Sequence, residues 1–133
     1  MSKVNLELVQ NLYDAFKRGD VATIIAALTP DVHWQVHGRA SDFPTIGQWS
    51  GPHGAQEFFR RVDESLEVAE FTPHQLHASG DKVFVMGHYR WKVRRSGKPA
   101  AAEWCHAFTI RGGKVAVFRE FTDTAAFADA YRG

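Results

Sequence analysis

Apolar residues recur every three or four positions in the first part of the chain, which is the spacing of one face of an α-helix. They are Leu6, Val9, Leu12, Tyr13 and Phe16. This pattern predicts a first helix over about residues 3–18. Asp20 then stands where its carboxylate can cap a second, short helix that ends before Pro30. A third helix is predicted over about residues 52–66, because Pro52 suits a first helical turn.

Further along the chain apolar and polar residues alternate, which is typical of half-buried β-strands. Residues 31–37 alternate in this way, with Val32, Trp34 and Val36 on one face. Four more strands are predicted at about residues 68–78, 82–94, 100–111 and 114–122, and a short helix follows at about 123–131. Short turns between consecutive strands indicate antiparallel neighbours, and Pro73 indicates that its strand lies at a sheet edge.

These elements predict a single α+β domain over residues 1–133, in which helices pack on an antiparallel sheet. No internal repeat or linker divides the chain. The longest irregular stretch, residues 38–51, carries enough apolar residues to lie against the domain as a lid. Hydrophobic residues make up 44% of the chain, including ten Phe and four Trp, so one hydrophobic core can form without stabilising disulfides or metal ions. Cys105 is the only cysteine, which excludes an internal disulfide.

The charge balance narrows the classes of partner. Sixteen basic residues against fifteen acidic ones give a formal charge of +1, whereas nucleic-acid binding needs a basic surface that neutralises phosphates. A basic cluster within residues 90–95 adjoins Gly97 and is typical of a solvated hairpin tip. No apolar run approaches the ~20 residues of a membrane span, and the N-terminus lacks the apolar stretch of a signal peptide. We therefore expect a cytoplasmic protein with no nucleic-acid or membrane partner.

Three segments together resemble one known family, the SnoaL-like polyketide cyclases. They are Leu12-Tyr-Asp-Ala-Phe16 leading to Gly19-Asp20, then Leu28-Thr-Pro-Asp-Val-His-Trp34, and His106-Ala-Phe-Thr-Ile-Arg-Gly-Gly-Lys-Val115 followed by Phe118-Arg-Glu-Phe-Thr-Asp123. This family is related to ketosteroid isomerases, limonene epoxide hydrolases, scytalone dehydratases and nuclear transport factor 2. The resemblance implies a cone-shaped nuclear transport factor 2-like fold, with three N-terminal helices over a strongly bent sheet and a pocket at the open end. It also implies a homodimer built on the outer sheet face.

The strand at residues 100–111 carries the sharpest candidate for chemistry. Trp104, His106 and Phe108 share one face, and this face is more apolar than the one with Cys105, so we place it toward the pocket. Comparison with ketosteroid isomerases implies that His106 takes the position of their oxyanion-hole aspartic acid, provided that the turn after this strand is one residue shorter in this chain. An ungapped comparison puts Cys105 there instead, and both alternatives stay open.

The same comparison turns Phe118 and Glu120 of the last strand inward, but the isomerases' other two catalytic residues are not retained. Their tyrosine falls at Leu12, one position before Tyr13, and their general-base aspartate falls at Val36. Ketosteroid isomerisation by that mechanism is therefore not expected. Since the wider superfamily holds enzymes and binding proteins alike, the function has to be argued from the site.

Each candidate has a functional and a structural interpretation. His106 in an apolar pocket suits a neutral base or hydrogen-bond donor near neutral pH, but a core histidine bonded to a backbone carbonyl has the same pattern. Glu120 is either its partner or a carboxylate paired with an arginine such as Arg90. Asp123 is a reserve catalytic residue or the N-cap of the last helix. Tyr13 either donates a hydrogen bond into the pocket or belongs to the core.

We predict a mostly apolar pocket with few polar groups, as small-molecule sites have. Its expected residues are Tyr13, Phe16, Trp34, Val36, Phe58, Trp104, His106, Phe108, Phe118 and Glu120. The favoured function is acid–base chemistry, such as isomerisation, cyclisation or dehydration, on a small apolar organic ligand. The alternative is a non-catalytic binding or dimerisation domain. No metal or cofactor is expected, because His33 and His37 lie roughly 13 Å apart on a strand and no phosphate-binding glycine motif is present.

Overall fold

A computed structural model describes residues 2–132 and contains four helices and six strands in this part of the chain. The helices are α1 Ser2–Lys17, α2 Val21–Ala26, α3 Gly51–Ser65 and α4 Thr124–Arg132. The strands are β1 Leu28–Val36, β2 Gly47–Ser50, β3 Leu66–Ser79, β4 Lys82–Val93, β5 Pro99–Arg111 and β6 Lys114–Thr122. Asp20 caps α2 as predicted, since its Oδ1 accepts a hydrogen bond from the Thr23 amide at 3.1 Å.

The six strands form one curved sheet in the order β2-β1-β6-β5-β4-β3. β3, β4, β5 and β6 are consecutive antiparallel neighbours, which confirms the prediction made from their short turns. β3 lies at the sheet edge, and its pairing with β4 shifts register next to Pro73. This position suits proline, which cannot donate a hydrogen bond to a second neighbouring strand.

Two features of the sheet correct the sequence prediction. β1 pairs with β6 in parallel, so the sheet is mixed rather than antiparallel throughout. Short turns indicate the direction of pairing only for strands that are consecutive in the sequence, whereas β1 and β6 are far apart in the sequence. β2 lies within residues 38–51, which were expected to be irregular, and pairs antiparallel with β1. A strand of four residues is too short for alternation to reveal it.

The core lies between the helices and the concave face of the sheet. Along β4 the buried positions alternate with exposed ones, as the period of two requires. The buried face of β4 consists of Val83, Val85, Gly87, Tyr89, Trp91 and Val93. α1 packs against β3 and β4, and α3 packs against β1, so the helices cover opposite ends of the sheet and enclose a space between them. Within residues 2–132, no helix has the length and apolar character needed to cross a membrane.

Candidate functional site

A cavity lies between the helices and the concave sheet face. Its free volume is about 90 Å³, several times the roughly 10–15 Å³ that one water needs, so it offers room for a ligand. The polar part of its wall comes from Tyr13, Thr45, Tyr89, His106 and Glu120. The apolar part is formed by Leu12, Phe16, Ile24, Trp34, Phe43, Phe58, Phe59, Val62, Leu66, Phe71, Trp91, Phe108, Phe118 and Phe127.

The central polar pair of the cavity is positioned by the pairing of β5 with β6. His106 and Glu120 are direct partners in that antiparallel register, so their side chains leave the same face of the sheet side by side. His106 Nε2 lies 2.9 Å from Glu120 Oε1. The His106 side chain is 5% exposed and that of Glu120 is 16% exposed, so the pair is largely shielded from solvent. A shielded pair of this kind interacts more strongly than a surface ion pair.

Two tyrosines extend the pair at both ends. From α1, Tyr13 Oη lies 2.7 Å from His106 Nδ1. From β4, the Tyr89 hydroxyl donates to Glu120 Oε2 at 3.1 Å. The order along the resulting hydrogen-bonded chain is Tyr13, His106, Glu120 and Tyr89.

The direction of these hydrogen bonds follows from the Glu120 carboxylate, which can only accept. Nε2 of His106 therefore carries the imidazole proton and donates it to Glu120, and Nδ1 of the neutral ring is an acceptor. Burial, with a smaller effect of the nearby Glu120 carboxylate, raises the pKa of Tyr13 and of Tyr89 well above its ordinary value, so both hydroxyls keep their protons. Tyr13 donates to Nδ1, and Tyr89 donates to Glu120. Every donor in the chain then meets an acceptor.

Aromatic rings hold the imidazole in place. The Trp104 ring stacks on His106 with centroids 4.0 Å apart, and the Phe118 ring meets it edge-on at 4.8 Å. Trp104 has this position because β4 has Gly87 opposite it, where a Cβ would lie 2.5 Å from the indole. His106 is therefore restricted to one orientation by its neighbours.

The structure brings together eight of the ten residues expected at the pocket, and these are Tyr13, Phe16, Trp34, Phe58, His106, Phe108, Phe118 and Glu120. Trp104 and Val36 are buried but do not reach the cavity wall. Trp104 lies behind the imidazole on which it stacks. Beyond the end of β1, where Val36 lies, Phe43 and Thr45 of the following segment form the wall instead.

Asp123, the reserve catalytic residue, is exposed and lies outside the cavity, between β6 and α4. It follows the end of β6, three positions after Glu120, where side chains no longer alternate between the cavity and the outer face of the sheet. Cys105 is only partly buried on the opposite face of β5 from His106, which resolves the choice left open between them. Arg90 is exposed on the outer face of β4 and is not the partner of Glu120.

Sequence reasoning missed Tyr89, the partner of Glu120. The signal was present, because Tyr89 alternates with Val85 and Trp91 on the apolar face of β4. It also missed the contribution of the segment after β1, where Phe43 and Thr45 reach the cavity without a periodic pattern. Within residues 2–132, no three His, Cys, Asp or Glu side chains are grouped so as to hold a metal ion.

Helices closed over a bent mixed sheet define the class of nuclear transport factor 2-like proteins. A crystal structure of such a protein of unknown function from Burkholderia pseudomallei K96243 superposes with a TM-score of 0.88 at 28% identity, over 100% of both chains. One from Burkholderia thailandensis E264 has a TM-score of 0.88 at 29% identity, over 97% of this chain and 98% of that one.

The family model described as SnoaL-like domain matches residues 9–118, and the chain belongs to this family. The family resemblance found in the sequence is thereby confirmed. The crystal structure of TerC, co-crystallised with polyporic acid, is also similar, with a TM-score of 0.87 and 27% identity over 98% of this chain and 99% of TerC. No curated protein sequence matches the chain.

Proposed function

We propose that this protein binds a small, planar, largely apolar organic molecule in the cavity and transfers protons on it, with His106 as the base. The observation that carries the proposal is the shielded His106–Glu120 pair, with Nε2 and Oε1 2.9 Å apart, in a cavity whose wall is otherwise mainly aromatic. Two ionisable groups that converge in an apolar pocket are what acid–base catalysis requires. A pocket for binding alone needs no such pair.

We propose a separate role for each partner. A neutral imidazole accepts a proton near neutral pH, and the adjacent carboxylate stabilises the imidazolium that forms. Apolar walls exclude water and favour a flat, hydrophobic ligand. This set of groups suits removal of a proton from an acidic hydroxyl or from a carbon beside a carbonyl. Isomerisation, cyclisation and dehydration of carbonyl compounds each have a route that begins with such a step.

The similarity to TerC supports the class of ligand. That protein was co-crystallised with polyporic acid, an organic molecule, and its structure covers almost the whole of this chain. We therefore propose an organic ligand here as well, and polyporic acid is a reasonable first probe for binding. Trp34 and Trp91 line the cavity, so intrinsic fluorescence reports its occupation.

Proton transfer is testable without knowing the physiological substrate. 2-Tetralone, a bicyclic ketone, has acidic hydrogens beside its carbonyl, and their exchange for deuterium in D₂O is followed by mass spectrometry. We expect the wild-type protein to accelerate this exchange. His106→Ala, and His106→Gln as a variant closer in size, should lower the rate by roughly 10²–10⁴-fold, which is the usual contribution of a positioned base.

A matched control is available on the outer face of the sheet. His88 Nε2 lies 2.6 Å from Glu70 Oε2, so this is a second histidine–carboxylate pair, but it is remote from the cavity. His88→Ala should leave the exchange rate unchanged. Equal rates in wild type and His106→Ala would refute the proposal. Binding of polyporic acid with no exchange of 2-tetralone would favour the alternative, a non-catalytic binding domain.

A further inference from the structure

We propose that Tyr13 contacts the acidic hydrogen of the ligand and relays the proton to His106. This inference rests on the proposed function and deepens it by identifying the contacting atom and the class of ligand. The ligand is a weak organic acid, with its acidic hydrogen on a hydroxyl or on a carbon beside a carbonyl.

Both imidazole nitrogens of His106 already have hydrogen-bond partners. Nδ1 of His106 lies 2.7 Å from Tyr13 Oη, and Nε2 lies 2.9 Å from Glu120 Oε1. A ligand in the cavity therefore reaches a nitrogen of His106 only by displacing Tyr13 or through its hydroxyl. Displacing Glu120 instead would remove the carboxylate that stabilises the imidazolium.

Aromatic packing holds Tyr13 in place against displacement by a ligand. Its ring packs against Phe71, Trp104 and Phe108 with centroids 6.0, 5.9 and 6.0 Å away, and it lies nearly parallel to the imidazole, at 6°. Tyr13 is only 7% exposed, yet it forms part of the cavity wall. The hydroxyl oxygen donates its one proton to His106 and retains lone pairs that can accept another hydrogen bond.

The step balances without any further reactant. The ligand's O–H or C–H bond breaks and its proton moves to Tyr13 Oη, while the proton already on Oη moves to His106 Nδ1. The products are the ligand anion, a neutral Tyr13 that hydrogen-bonds to that anion, and an imidazolium beside Glu120. Burial raises the pKa of Tyr13 well above its ordinary value, so free tyrosinate does not accumulate along this path.

Replacement of Tyr13 separates this pathway from direct action of His106, because the two predict opposite results. If Tyr13 relays the proton, Tyr13→Phe should lower the exchange rate of 2-tetralone by about 10²-fold or more, close to the loss in His106→Gln. The double variant should then be little worse than either single variant. If His106 acts directly, Tyr13→Phe frees Nδ1, and the rate should be retained or increased.

Tyr131→Phe is the matched control, since Tyr131 is 7% exposed, like Tyr13, but does not line the cavity. It should change the rate only a few-fold. Incorporation of 3-fluorotyrosine at position 13 keeps the shape and alters the acidity of the hydroxyl, so it should change the pH profile of exchange, whereas the same replacement at position 131 should not. This second variant keeps the test decisive if Tyr13→Phe folds poorly.

The possible failures are distinguishable. The relay is overturned, and the proposed function stands, if exchange is lost in His106→Gln but retained in Tyr13→Phe. The pH profile with 3-fluorotyrosine at position 13 should then be unchanged. Absence of exchange in the wild-type protein overturns the proposed function and the relay with it. Loss in both Tyr13→Phe and His106→Gln, with near wild-type rates in Tyr131→Phe, supports the relay.

Discussion

Glu120 is the residue on which the polar chain depends, because a carboxylate shielded from water needs donors on its oxygens. His106 donates to one oxygen and Tyr89 to the other, at 2.9 and 3.1 Å. Removing either donor leaves the carboxylate incompletely satisfied, whereas removing Glu120 leaves the imidazole proton on Nε2 without its acceptor. Each member therefore constrains the protonation of the next.

The buried tyrosines predict a loss of stability at alkaline pH. The pKa of Tyr13 and of Tyr89 is raised by burial above the ordinary value of 10.0, so both stay protonated in the folded protein while the unfolded chain releases their protons. Their contribution to the free energy of unfolding is fully present below pH 10 and decreases above it, by about 1.4 kcal/mol per pH unit for each tyrosine.

Urea unfolding measured between pH 9 and pH 11.5 checks this sign and slope. The double variant Tyr13→Phe/Tyr89→Phe should be less stable than wild type at neutral pH but should lose stability less steeply above pH 10. Tyr131 remains in both proteins, and burial raises its pKa as well, so some slope is expected to persist. Identical slopes in the two proteins would contradict the assignment.

At the scale of the elements, the site depends on the register of one hairpin and on a position without a side chain in the neighbouring strand. β5 and β6 pair so that His106 faces Glu120 and Trp104 faces Thr122, with a register shift between Thr109 and Ile110. A slip of one residue would turn the inward side chains of one strand to the outer face. β4 contributes Gly87, which leaves room for the indole that holds the imidazole.

Gly87→Ala should therefore destabilise the protein and disturb the site together. An added Cβ would overlap the backbone oxygen of Thr72 and lie 2.5 Å from the Trp104 ring. Overpacking of this kind typically costs about 1–3 kcal/mol of unfolding free energy, which urea unfolding would measure. Because Trp104 must shift, exchange of 2-tetralone should fall too. Ala101→Ser, at an exposed position of β5, should have neither effect.

At the scale of the whole molecule, the outer sheet face is unusually apolar. Phe84, Met86 and Phe121 are 40–51% exposed. Met86, Cys105 and Phe121 are register partners in a row across β4, β5 and β6, so the apolar surface is continuous. Exposed apolar patches of this kind mark interaction surfaces. We propose that a second copy of the chain covers this face in a homodimer.

Sedimentation equilibrium at micromolar concentration tests the dimer, for which we expect twice the mass of the chain. Met86→Lys places a charge in the centre of the apolar row and should shift the protein toward monomer by at least tenfold in dissociation constant. Val4→Lys is the control, because Val4 is 61% exposed but belongs to α1 rather than to the sheet. A wild-type protein that is strictly monomeric would rule out the homodimer.

The sequence alone determined every helix and strand of residues 2–132 except β2, and the face to which most side chains belong. Helical spacing located the first and third helices, and alternation put His106 and Phe108 on the apolar face of β5. The family comparison added that Phe118 and Glu120 of β6 face the same side. These features are local, because a period of 3.6 or 2 is set by backbone geometry within one element. For the same reason the period could place Trp104 and Val36 on the correct face, but not their depth behind the cavity wall.

The tertiary structure alone decided which distant residues those faces contact. Tyr13 and His106 are 93 residues apart, and Tyr89 and Glu120 are 31 apart, so neither hydrogen bond is visible in any local pattern. The parallel pairing of β1 with β6 and the exposed position of Asp123 depend likewise on how distant elements pack. A buried polar group is satisfied by whichever partner packing brings within hydrogen-bond distance, so the chain from Tyr13 to Tyr89 exists only in the folded protein.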